Sequence, residues 1–300
     1  MTKILPKVSI IMNCFNGEKY LEESIRSALN QTYTNWEIIF WDNLSQDNSK
    51  NIFMSFKDPR LFYYHAEKHT PLYEARNMAI NKANGSILAF LDVDDYWKEN
   101  KLEEQVPLFE DSSVGFACSN YEVQHDLKNK SWVVFKKDIP SGFVTDNLLA
   151  SYFIGLLTLM IRKEAYDSLE YGFDPLFNIM GDLDMTIRLS MEWKLGTSQK
   201  VLAVCRKHGN NALVQERDKH ISELEYWINK ANKEEKIKNR GSFFKLKEVL
   251  IYQKIIFYTL ERDYRAAFLQ LKLMSLGIKK LRAFMAILMP TKLLRILKKD

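Results

Sequence analysis

Short apolar runs alternate with amphipathic stretches over the first third of the chain. The runs are rich in β-branched and aromatic residues, and polar residues or Gly follow each of them. They predict the strands Lys7–Asn13, Trp36–Trp41, Leu61–Tyr64 and Ile87–Leu91. Apolar residues at helical spacing predict a helix after Gly17 and two more over Asn51–Phe56 and Pro71–Ala83. This order is typical of a doubly wound, mostly parallel α/β sheet.

The pattern is less regular after the fourth strand. It predicts helices over Lys98–Phe109 and Leu183–Leu195, strands over Val114–Val123, Leu156–Ile161 and Val201–Cys205, and a hairpin arm over Ser131–Phe135. Residues 216–240 are strongly charged and predict a solvated helix and a linker. From Ser242 onward the pattern is helical. We therefore expect a catalytic domain over residues 1–215, a charged helix and linker over 216–240, and a basic amphipathic helical extension over 241–300.

The composition is that of a globular protein, with 46% hydrophobic residues in a chain of 300 and only 11 Gly and 7 Pro. The three cysteines lie far apart and form no CxxC pair, which indicates a reducing compartment and no zinc site. The first apolar run begins too directly for a signal peptide, and no run approaches the length that spans a bilayer. We expect a cytoplasmic protein, or one attached to the inner face of the cell membrane.

The net charge of +5 is unevenly distributed, because residues 241–300 carry 13 Lys/Arg and 4 Asp/Glu and the rest is net acidic. Residues 279–299 contain seven Lys/Arg and no Asp/Glu, interleaved with Leu, Met and Phe. This favours a basic amphipathic helix on an anionic membrane surface, broken near Pro290. A helical hairpin packed on the catalytic domain remains the alternative. Nucleic acid is not an expected partner, since no recognition motif is present.

Three carboxylates follow the fourth predicted strand: Asp92, Asp94 and Asp95. If the strand continues, Asp92 and Asp94 share one face, and carboxylates this close repel one another unless a cation intervenes. Mn²⁺ or Mg²⁺ suits such oxygen ligands and keeps room for substrate phosphates. Ligands of open α/β sheets bind beyond the carboxyl ends of strands, where this cluster lies. The alternative is a polar loop in which Asp95 caps the next helix.

Four further features carry possible chemistry. Asp42 ends the second strand, Arg76 lies on the helix before the acidic cluster, Asp182 and Asp184 open a helix, and His208 follows the last strand. Each alone has a structural explanation, as a turn residue, a surface cation, a helix cap or a loop histidine. No GxGxxG or GxxxxGK[ST] follows any strand, which disfavours a dinucleotide-binding oxidoreductase and a Walker-type NTPase.

In combination, these segments resemble the family-two inverting glycosyltransferases, which use the glycosyltransferase A fold. The resemblance covers roughly residues 7–211 and is most specific in VSIIMNCFNGEKYLEESIRSALNQTYTNWEIIFWDN, in EARNMAINKANGSILAFLDVDDYW, and in GDLDMTIRL followed by RKHGNN. It implies metal-dependent, inverting transfer of a sugar from a nucleotide-diphosphate donor, with a UDP-sugar favoured. The implied acceptor is a hydroxyl of a glycan or lipid-linked precursor in surface polysaccharide or lipopolysaccharide synthesis.

The resemblance implies a role for each candidate residue. Asp182 takes the position of the catalytic base, and Mn²⁺ or Mg²⁺ is held by Asp94, Asp95 and His208. Asp42 accepts from the ring N–H of the nucleobase. The full set of donor-binding residues is Asn13, Cys14, Phe15, Asn16, Asp42, Asn43, Arg76, Asp92 and Asp94. The chain departs from the family pattern at Gly181, where Glu is frequent, and at Leu44 and Pro71, where Gly is common.

Two other functions are compatible with the pattern. A metal-dependent nucleotidyltransferase shares the nucleotide, the metal and the sheet, but leaves Asp182 without a task. A non-catalytic nucleotide-sugar-binding or membrane-scaffold module needs no base at all, so replacing Asp182 by Asn would leave its function intact.

Overall fold

The computed structural model describes residues 5–208 and 217–297. The chain divides into two compact units. Residues up to 145 and from 153 to 208 belong to the first, and residues 146–152 and 217–297 belong to the second. The first unit is an α/β structure and the second is helical.

The first unit is built on a mixed sheet. Its strands are β1 (Val8–Cys14), β2 (Trp36–Asp42), β3 (Leu61–His65), β4 (Ile87–Phe90), β5 (Tyr96–Trp97), β6 (Val114–His125), β7 (Lys130–Val133), β8 (Met160–Arg162) and β9 (Lys194–Lys207). The order across the sheet is β3-β2-β1-β4-β8-β6-β9-β5, with β7 paired to β6. The four strands from β3 to β4 are parallel, and β8, which is antiparallel to both neighbours, joins them to the parallel pair β6 and β9.

Six helices connect these strands or follow them. They are α1 (Glu18–Leu29), α2 (Ser49–Ser55), α3 (Leu72–Ile80), α4 (Lys101–Gln105), α6 (Lys163–Asp167) and α7 (Gly181–Ser190). The predicted β-α-β-α-β-α-β order of the first third is confirmed. It arises because one face of β1, from Val8 to Cys14, packs in one buried cluster with the apolar stripe Leu21, Ile25 and Ala28 of α1.

A polar cluster on the other face of β1 joins three segments of the sheet. The buried Glu37 carboxylate accepts hydrogen bonds from Ser9 Oγ at 2.6 Å, Lys7 Nζ at 2.6 Å and the Asn84 amide at 2.8 Å. Burial raises the pKa of Glu37, but these hydrogen bonds together outweigh burial and hold the pKa below its ordinary value. Gly85 is required here, since a Cβ would come within 2.6 Å of the Lys7 carbonyl oxygen. The chain therefore enters β4 in a fixed register beside β1.

Several predicted elements after β4 are wrong in extent. The helix predicted over Lys98–Phe109 is α4 followed by a 3₁₀ turn over Val106–Glu110, because Pro107 lacks the amide that an α-helix needs. The strand predicted over Leu156–Ile161 begins with a 3₁₀ turn over Leu156–Thr158. The helix predicted to reach Leu195 ends at Ser190, because Lys194 already begins β9. Apolar spacing alone does not mark where an element ends.

The second unit contains α5 (Thr145–Ala150, whose first residue belongs to the first unit), α8 (Arg217–Ala231), α9 (Glu235–Lys238), α10 (Gly241–Leu260), α11 (Tyr264–Leu273), α12 (Ile278–Leu288) and α13 (Thr291–Leu297). Helix α8 is not a solvated helix, because Ile221, Leu224, Trp227 and Ile228 are buried along it. Its high charge concealed this apolar stripe in the sequence. Helices α10, α11 and α12 share a core around Ile255, Ala267 and Ile287.

The opposite side of α12 and the turn before it are apolar and exposed. Leu276, Ile278, Leu281, Met285 and Leu288 each have more than half of their surface in solvent. The break predicted near Pro290 lies between α12 and α13. Within residues 5–208 and 217–297, no helix has the length and apolarity needed to cross a bilayer.

Lys101, at the start of α4, is a buried charge in the first unit. Its side chain is fully buried, and its Nζ has no hydrogen-bond partner among the described residues. The amine lies 4.2 Å from the centroid of the Trp97 ring. Burial lowers the pKa of Lys101 to about 7. The folded chain therefore loses this proton at a pH where the unfolded chain still binds it.

We predict that Lys101→Met raises the free energy of unfolding at pH 6 by about 1–4 kcal/mol, because it replaces an unmatched buried charge with an apolar side chain of similar length. Between pH ~7 and pH ~10 the unfolded wild-type chain binds one proton more than the folded chain, so wild-type stability rises by about 1.4 kcal/mol per pH unit. The advantage of the variant should therefore shrink as the pH rises. Urea unfolding of both chains at pH 6 and pH 9 measures it, and an equal advantage at the two pH values would contradict the assignment.

Candidate active site

The candidate residues gather at one edge of the sheet, beyond the carboxyl ends of three parallel strands. Cys14 pairs with Asp42 where β1 and β2 end, and β4 runs parallel to β1 on its other side. The loops that follow these three strands are therefore neighbours. Ligands of open α/β sheets bind at such an edge.

Asp42 organises the loop after β2. It is almost fully buried, and its Oδ2 accepts from the Tyr63 hydroxyl at 2.6 Å while its Oδ1 accepts from the Ser45 amide at 2.7 Å. Leu44, between them, has a φ of 68°, a left-handed conformation that favours glycine. At position 44, where the family commonly has Gly, this chain therefore has a leucine in a strained, left-handed conformation.

The loop after β1 is tied to the loop after β2. The Asn16 side-chain oxygen accepts from the Gln46 amide at 2.8 Å, and the Asn16 amide donates to Ser45 Oγ at 3.0 Å. Cys14 lies beside Ser45, with Sγ and Oγ 3.7 Å apart, and burial raises the pKa of its thiol. Cys14 is therefore a buried, protonated side chain in the wall of the site.

An aromatic pair lies at the mouth of the site. The Phe15 ring is half exposed, and its centroid is 4.3 Å from that of His69. Asn43 holds this side of the site, because its side-chain amide exchanges hydrogen bonds with the backbone of Thr70, with Nδ2 donating at 2.8 Å and Oδ1 accepting at 3.2 Å. Its carbonyl oxygen lies 2.9 Å from His69 Nδ1. Planar rings stack readily on an exposed aromatic pair of this kind.

Asn13 is buried at the end of β1, and neither polar atom of its side chain has a hydrogen-bond partner among the described residues. Buried amides without a partner are rare, because each unmade hydrogen bond costs about 1–3 kcal/mol. Asn13 therefore offers a buried donor and a buried acceptor beside the loop of Asp42.

The three carboxylates after β4 lie on a turn rather than on a strand. Strand β4 ends at Phe90, and the Asp95 amide donates to the Asp92 carbonyl at 3.1 Å, so the prediction that Asp92 and Asp94 share a strand face is wrong. Strand β4 pairs with β8 only from Ile87 to Ala89, and it ends one residue after that pairing stops. The alternative in which Asp95 caps a helix is also wrong, since Asn100 precedes α4.

Each carboxylate of this turn has a different partner. Asp92 accepts from Arg76 Nη2 at 2.6 Å, Asp94 lies 3.0 Å from His208 Nε2, and Asp95 accepts from the Arg206 amide at 2.9 Å. Burial raises the pKa of the Asp94 carboxyl, and repulsion from Asp92 adds to it. Burial and its two acidic neighbours raise the pKa of Asp95 well above the ordinary value. The turn thus concentrates negative charge that a cation would relieve.

Asp182 lies in the first turn of α7, beside the ring of Tyr73 from α3. The Tyr73 hydroxyl is 3.4 Å from Asp182 Oδ1 and 3.4 Å from the Asp182 amide, and it donates to the Ile179 carbonyl at 3.1 Å. Asp184, the second acidic residue of this helix, is buried in an ion pair with Arg188 at 2.8 Å. Arg188 in turn donates to the carbonyls of Tyr171 and Gly172, so Asp184 holds the loop before α7.

Sequence reasoning missed three residues of the site. Tyr20 stacks on His208 with the ring centroids 5.3 Å apart, and the Arg206 guanidinium lies 4.8 Å from the same Tyr20 ring. Tyr73 is the third. The sequence offered a reason to single out Arg206, because it is the first residue of the RKHGNN segment. It offered none for Tyr20 and Tyr73, because both occupy helix positions where an aromatic residue is ordinarily part of the core.

The donor set at the acidic turn fits a divalent cation that completes its shell with substrate. Within residues 5–208 and 217–297, no three His, Cys, Asp or Glu side chains are grouped so that they hold an ion by themselves. Asp94 and His208 do meet, and Asp95 turns to the Arg206 amide. Mg²⁺ and Mn²⁺ are commonly bound by one or two protein ligands together with phosphate oxygens and water. Asp94 and His208 are therefore the residues that would hold such an ion.

Comparisons with known proteins show what the chain is similar to. A family model described as Glycosyl transferase family 2 matches residues 9–167, which is more than half of the chain. The UDP-Glc:alpha-D-GlcNAc-diphosphoundecaprenol beta-1,3-glucosyltransferase WfgD of Escherichia coli is 36% identical over 166 residues, or 55% of this chain and 64% of its own length. The putative teichuronic acid biosynthesis glycosyltransferase TuaG of Bacillus subtilis is 33% identical over 168 residues, or 55% of this chain and 65% of its own. The alignments thus leave about a third of each relative unmatched.

Solved structures share the fold. S. aureus TarS 1–349 in complex with UDP-GlcNAc has a TM-score of 0.66 at 14% identity and covers 88% of this chain and 79% of that chain. The mannosyltransferase PcManGT from Pyrobaculum calidifontis, in complex with GDP-Man and Mn²⁺, has a TM-score of 0.61 at 18% identity and covers 98% of this chain and 84% of that one. The predicted α/β fold class is thereby confirmed.

Proposed function

Because the chain belongs to glycosyl transferase family 2, we propose that it transfers a sugar from a nucleoside-diphosphate donor to a hydroxyl of a glycan or lipid-linked acceptor. The proposed donor is a UDP-sugar, and the proposed reaction inverts the configuration at the anomeric carbon. WfgD is named as a glucosyltransferase that uses UDP-Glc and a GlcNAc-diphosphoundecaprenol, and TuaG as a putative glycosyltransferase of teichuronic acid biosynthesis. The proposed setting is the synthesis of a cell-surface polysaccharide.

The observation that carries the proposal is the position of helix α3. Arg76 on this helix donates to Asp92 at the acidic turn, and Tyr73, one turn earlier, contacts Asp182. Residues three apart on a helix lie on the same side, about 4.5 Å from each other along the axis. One turn of α3 thus separates the groups proposed for the diphosphate from the proposed base. A donor bound between them would present its reacting carbon to an acceptor hydroxyl beside Asp182.

The donor nucleotide is proposed to bind along the loops after β1 and β2. Phe15 offers a ring for stacking, and the unpartnered amide of Asn13 offers both a donor and an acceptor. Cys14, Asn16 and Asn43 shape the wall. Asp42 is the proposed acceptor for a ring N–H of the base, since a carboxylate that already accepts from Tyr63 and Ser45 retains lone pairs for a third donor.

Arg76, Asp92 and Asp94 are proposed to meet the diphosphate end. A bound Mn²⁺ or Mg²⁺, held by Asp94 and His208 with Asp95 behind them, would neutralise the charge that develops on the departing diphosphate. In the comparison structure of PcManGT the ion is Mn²⁺. Arg76 contributes by fixing Asp92, so that the acidic turn keeps its shape as the donor arrives.

Asp182 is proposed to accept the proton of the acceptor hydroxyl as its oxygen attacks the anomeric carbon. The new carbon–oxygen bond forms on the face opposite the diphosphate, the bond to the diphosphate oxygen breaks, and the nucleoside diphosphate leaves. A single displacement inverts the configuration, and one base suffices for it. Asp184 is not available for this task, because it is paired with Arg188.

We predict that Asp182→Asn lowers kcat roughly 10²–10⁴-fold and leaves the donor KM near wild type, because the change removes basicity, keeps the shape and affects the acceptor side. Asp184→Asn is the matched control. It makes the same change two residues along α7, and we expect it to lower the unfolding midpoint, because it strands the Arg188 charge, and to affect kcat far less. UDP release from a UDP-sugar with a GlcNAc-diphospho-lipid acceptor measures both variants, and wild-type turnover by Asp182→Asn would overturn the base assignment.

The exposed apolar side of α12 is proposed to attach the enzyme to an anionic membrane surface. The exposed residues Leu281, Met285 and Leu288 share α12 with the basic residues Lys279, Lys280 and Arg282. Each basic residue near an anionic bilayer contributes roughly 1 kcal/mol, and apolar side chains that enter the interface add to this. Attachment at the inner face of the cell membrane would hold the active site near a lipid-linked acceptor.

We predict that Leu281→Glu combined with Met285→Glu abolishes co-sedimentation with phosphatidylglycerol vesicles, while wild type sediments with them and not with phosphatidylcholine vesicles. Both side chains are exposed, so the fold should persist, whereas truncation before α12 would remove Ile287 from the core of the second unit. Phe143→Glu, at an exposed phenylalanine of the first unit, is the matched control. Equal sedimentation of the double variant and wild type would contradict the membrane proposal.

A further inference from the structure

Tyr73 fills the space that a side chain at position 181 would occupy. A Cβ built on Gly181 would lie 2.6 Å from Cε2 and 2.7 Å from Cδ2 of the Tyr73 ring, closer than real side chains approach. Position 181 directly precedes the proposed base, and it is where the sequence departs from the glutamate frequent in the family. The Tyr73 ring of α3 therefore lies where a side chain at position 181 of α7 would have to be.

The Tyr73 ring is locked in place. It is buried, stacks on Phe173 at a centroid distance of 5.1 Å, and has the Arg76 guanidinium 5.1 Å from its centroid. Its hydroxyl therefore has little freedom, and it points to the first turn of α7, where it lies 3.4 Å from Asp182 Oδ1. Burial and the Asp182 charge raise the pKa of Tyr73 well above 10, so the hydroxyl keeps its proton.

We propose that the Tyr73 hydroxyl is a positioning group for the base: it donates to the Asp182 carboxylate, fixes its orientation towards the acceptor, and takes the place of the side chain that Gly181 lacks. This inference rests on the proposed function. In the structure the hydroxyl proton is shared between Asp182 and the Ile179 carbonyl, at 3.4 and 3.1 Å. Catalytic hydrogen bonds are often long in the free enzyme and shorten when substrate binds.

The test is Tyr73→Phe in the full chain, which removes the hydroxyl and keeps the ring against Gly181. We expect kcat to fall roughly tenfold with the donor KM within about twofold of wild type, as for the loss of one hydrogen bond to a charged group. The acidic limb of the pH dependence of kcat should move to higher pH, because a carboxylate that loses a donor is protonated more easily. Arg76, Asp92 and Tyr121 also act on Tyr73 or Asp182, and all three are unchanged in this variant.

Tyr33→Phe is the control for losing a buried tyrosine hydroxyl, since Tyr33 donates to the Pro6 carbonyl at the opposite end of the sheet. It should leave kcat and its pH dependence unchanged. A Tyr73→Phe enzyme with wild-type kcat and pH profile would overturn the positioning role, provided that Asp182→Asn is inactive. If Asp182→Asn is active as well, it is the base assignment that fails, so the two failures are distinguishable.

A steric cycle tests the pairing of the two positions independently. Gly181→Ala alone should lower the unfolding midpoint and kcat, because its Cβ meets the Tyr73 ring, and the same change should be tolerated in a Tyr73→Ala background. Equal effects of Gly181→Ala in the two backgrounds would show that the positions are not coupled and would overturn the idea that Tyr73 replaces the missing side chain.

Discussion

The guanidinium of Arg76 is almost fully removed from solvent, and the site depends on how that charge is matched. A buried cation is strongly destabilising unless it is paired, and Asp92 at 2.6 Å supplies the pair. The stacked rings of Tyr73 and Phe173 lie 5.1 and 5.9 Å from the guanidinium. Losing one partner of a fully buried pair costs about 3–5 kcal/mol, and less here because Asp92 is about a third exposed. The pair therefore fixes α3 to the acidic turn, and through Tyr73 the same helix reaches Asp182.

The loops on the proposed donor-binding side are held by hydrogen bonds that satisfy buried polar groups. The side chains of Asn43 and Asn16 bond to the backbone of a neighbouring loop, and Asp42 bonds to the backbone of its own loop, so the edge of the sheet is shaped before any ligand binds. Asn13 and the acidic turn are the exceptions. An amide without partners and carboxylates whose ionisation is opposed by burial are both relieved by a ligand, one by a polar group and the other by a cation.

The sequence predicted the sheet because β1, β2 and β4 are near-continuous apolar runs separated by polar breaks. Asp42 and the three carboxylates were candidates because they follow those runs, whereas Arg76 and Asp182 became candidates through the family resemblance. The sequence failed on the extent of β4, which ends at Phe90, one residue after its pairing with β8 stops. It also failed on α8, whose high charge concealed the buried face around Trp227. Tyr73 was missed because its importance comes from Gly181, which is 108 positions away and adjacent only in the fold.

The central claim is that a nucleoside diphosphate and a divalent cation complete one site at the Asp94–His208 pair. Calorimetric titration of the full chain with UDP, and with GDP in parallel, in Mn²⁺ and then in EDTA, tests it most directly. The account predicts that one of these nucleotides binds at least about tenfold more tightly with Mn²⁺, and that Asp94→Asn loses this enhancement while keeping the wild-type unfolding midpoint. Nucleotide affinity that is the same with Mn²⁺, with EDTA and in Asp94→Asn would contradict it.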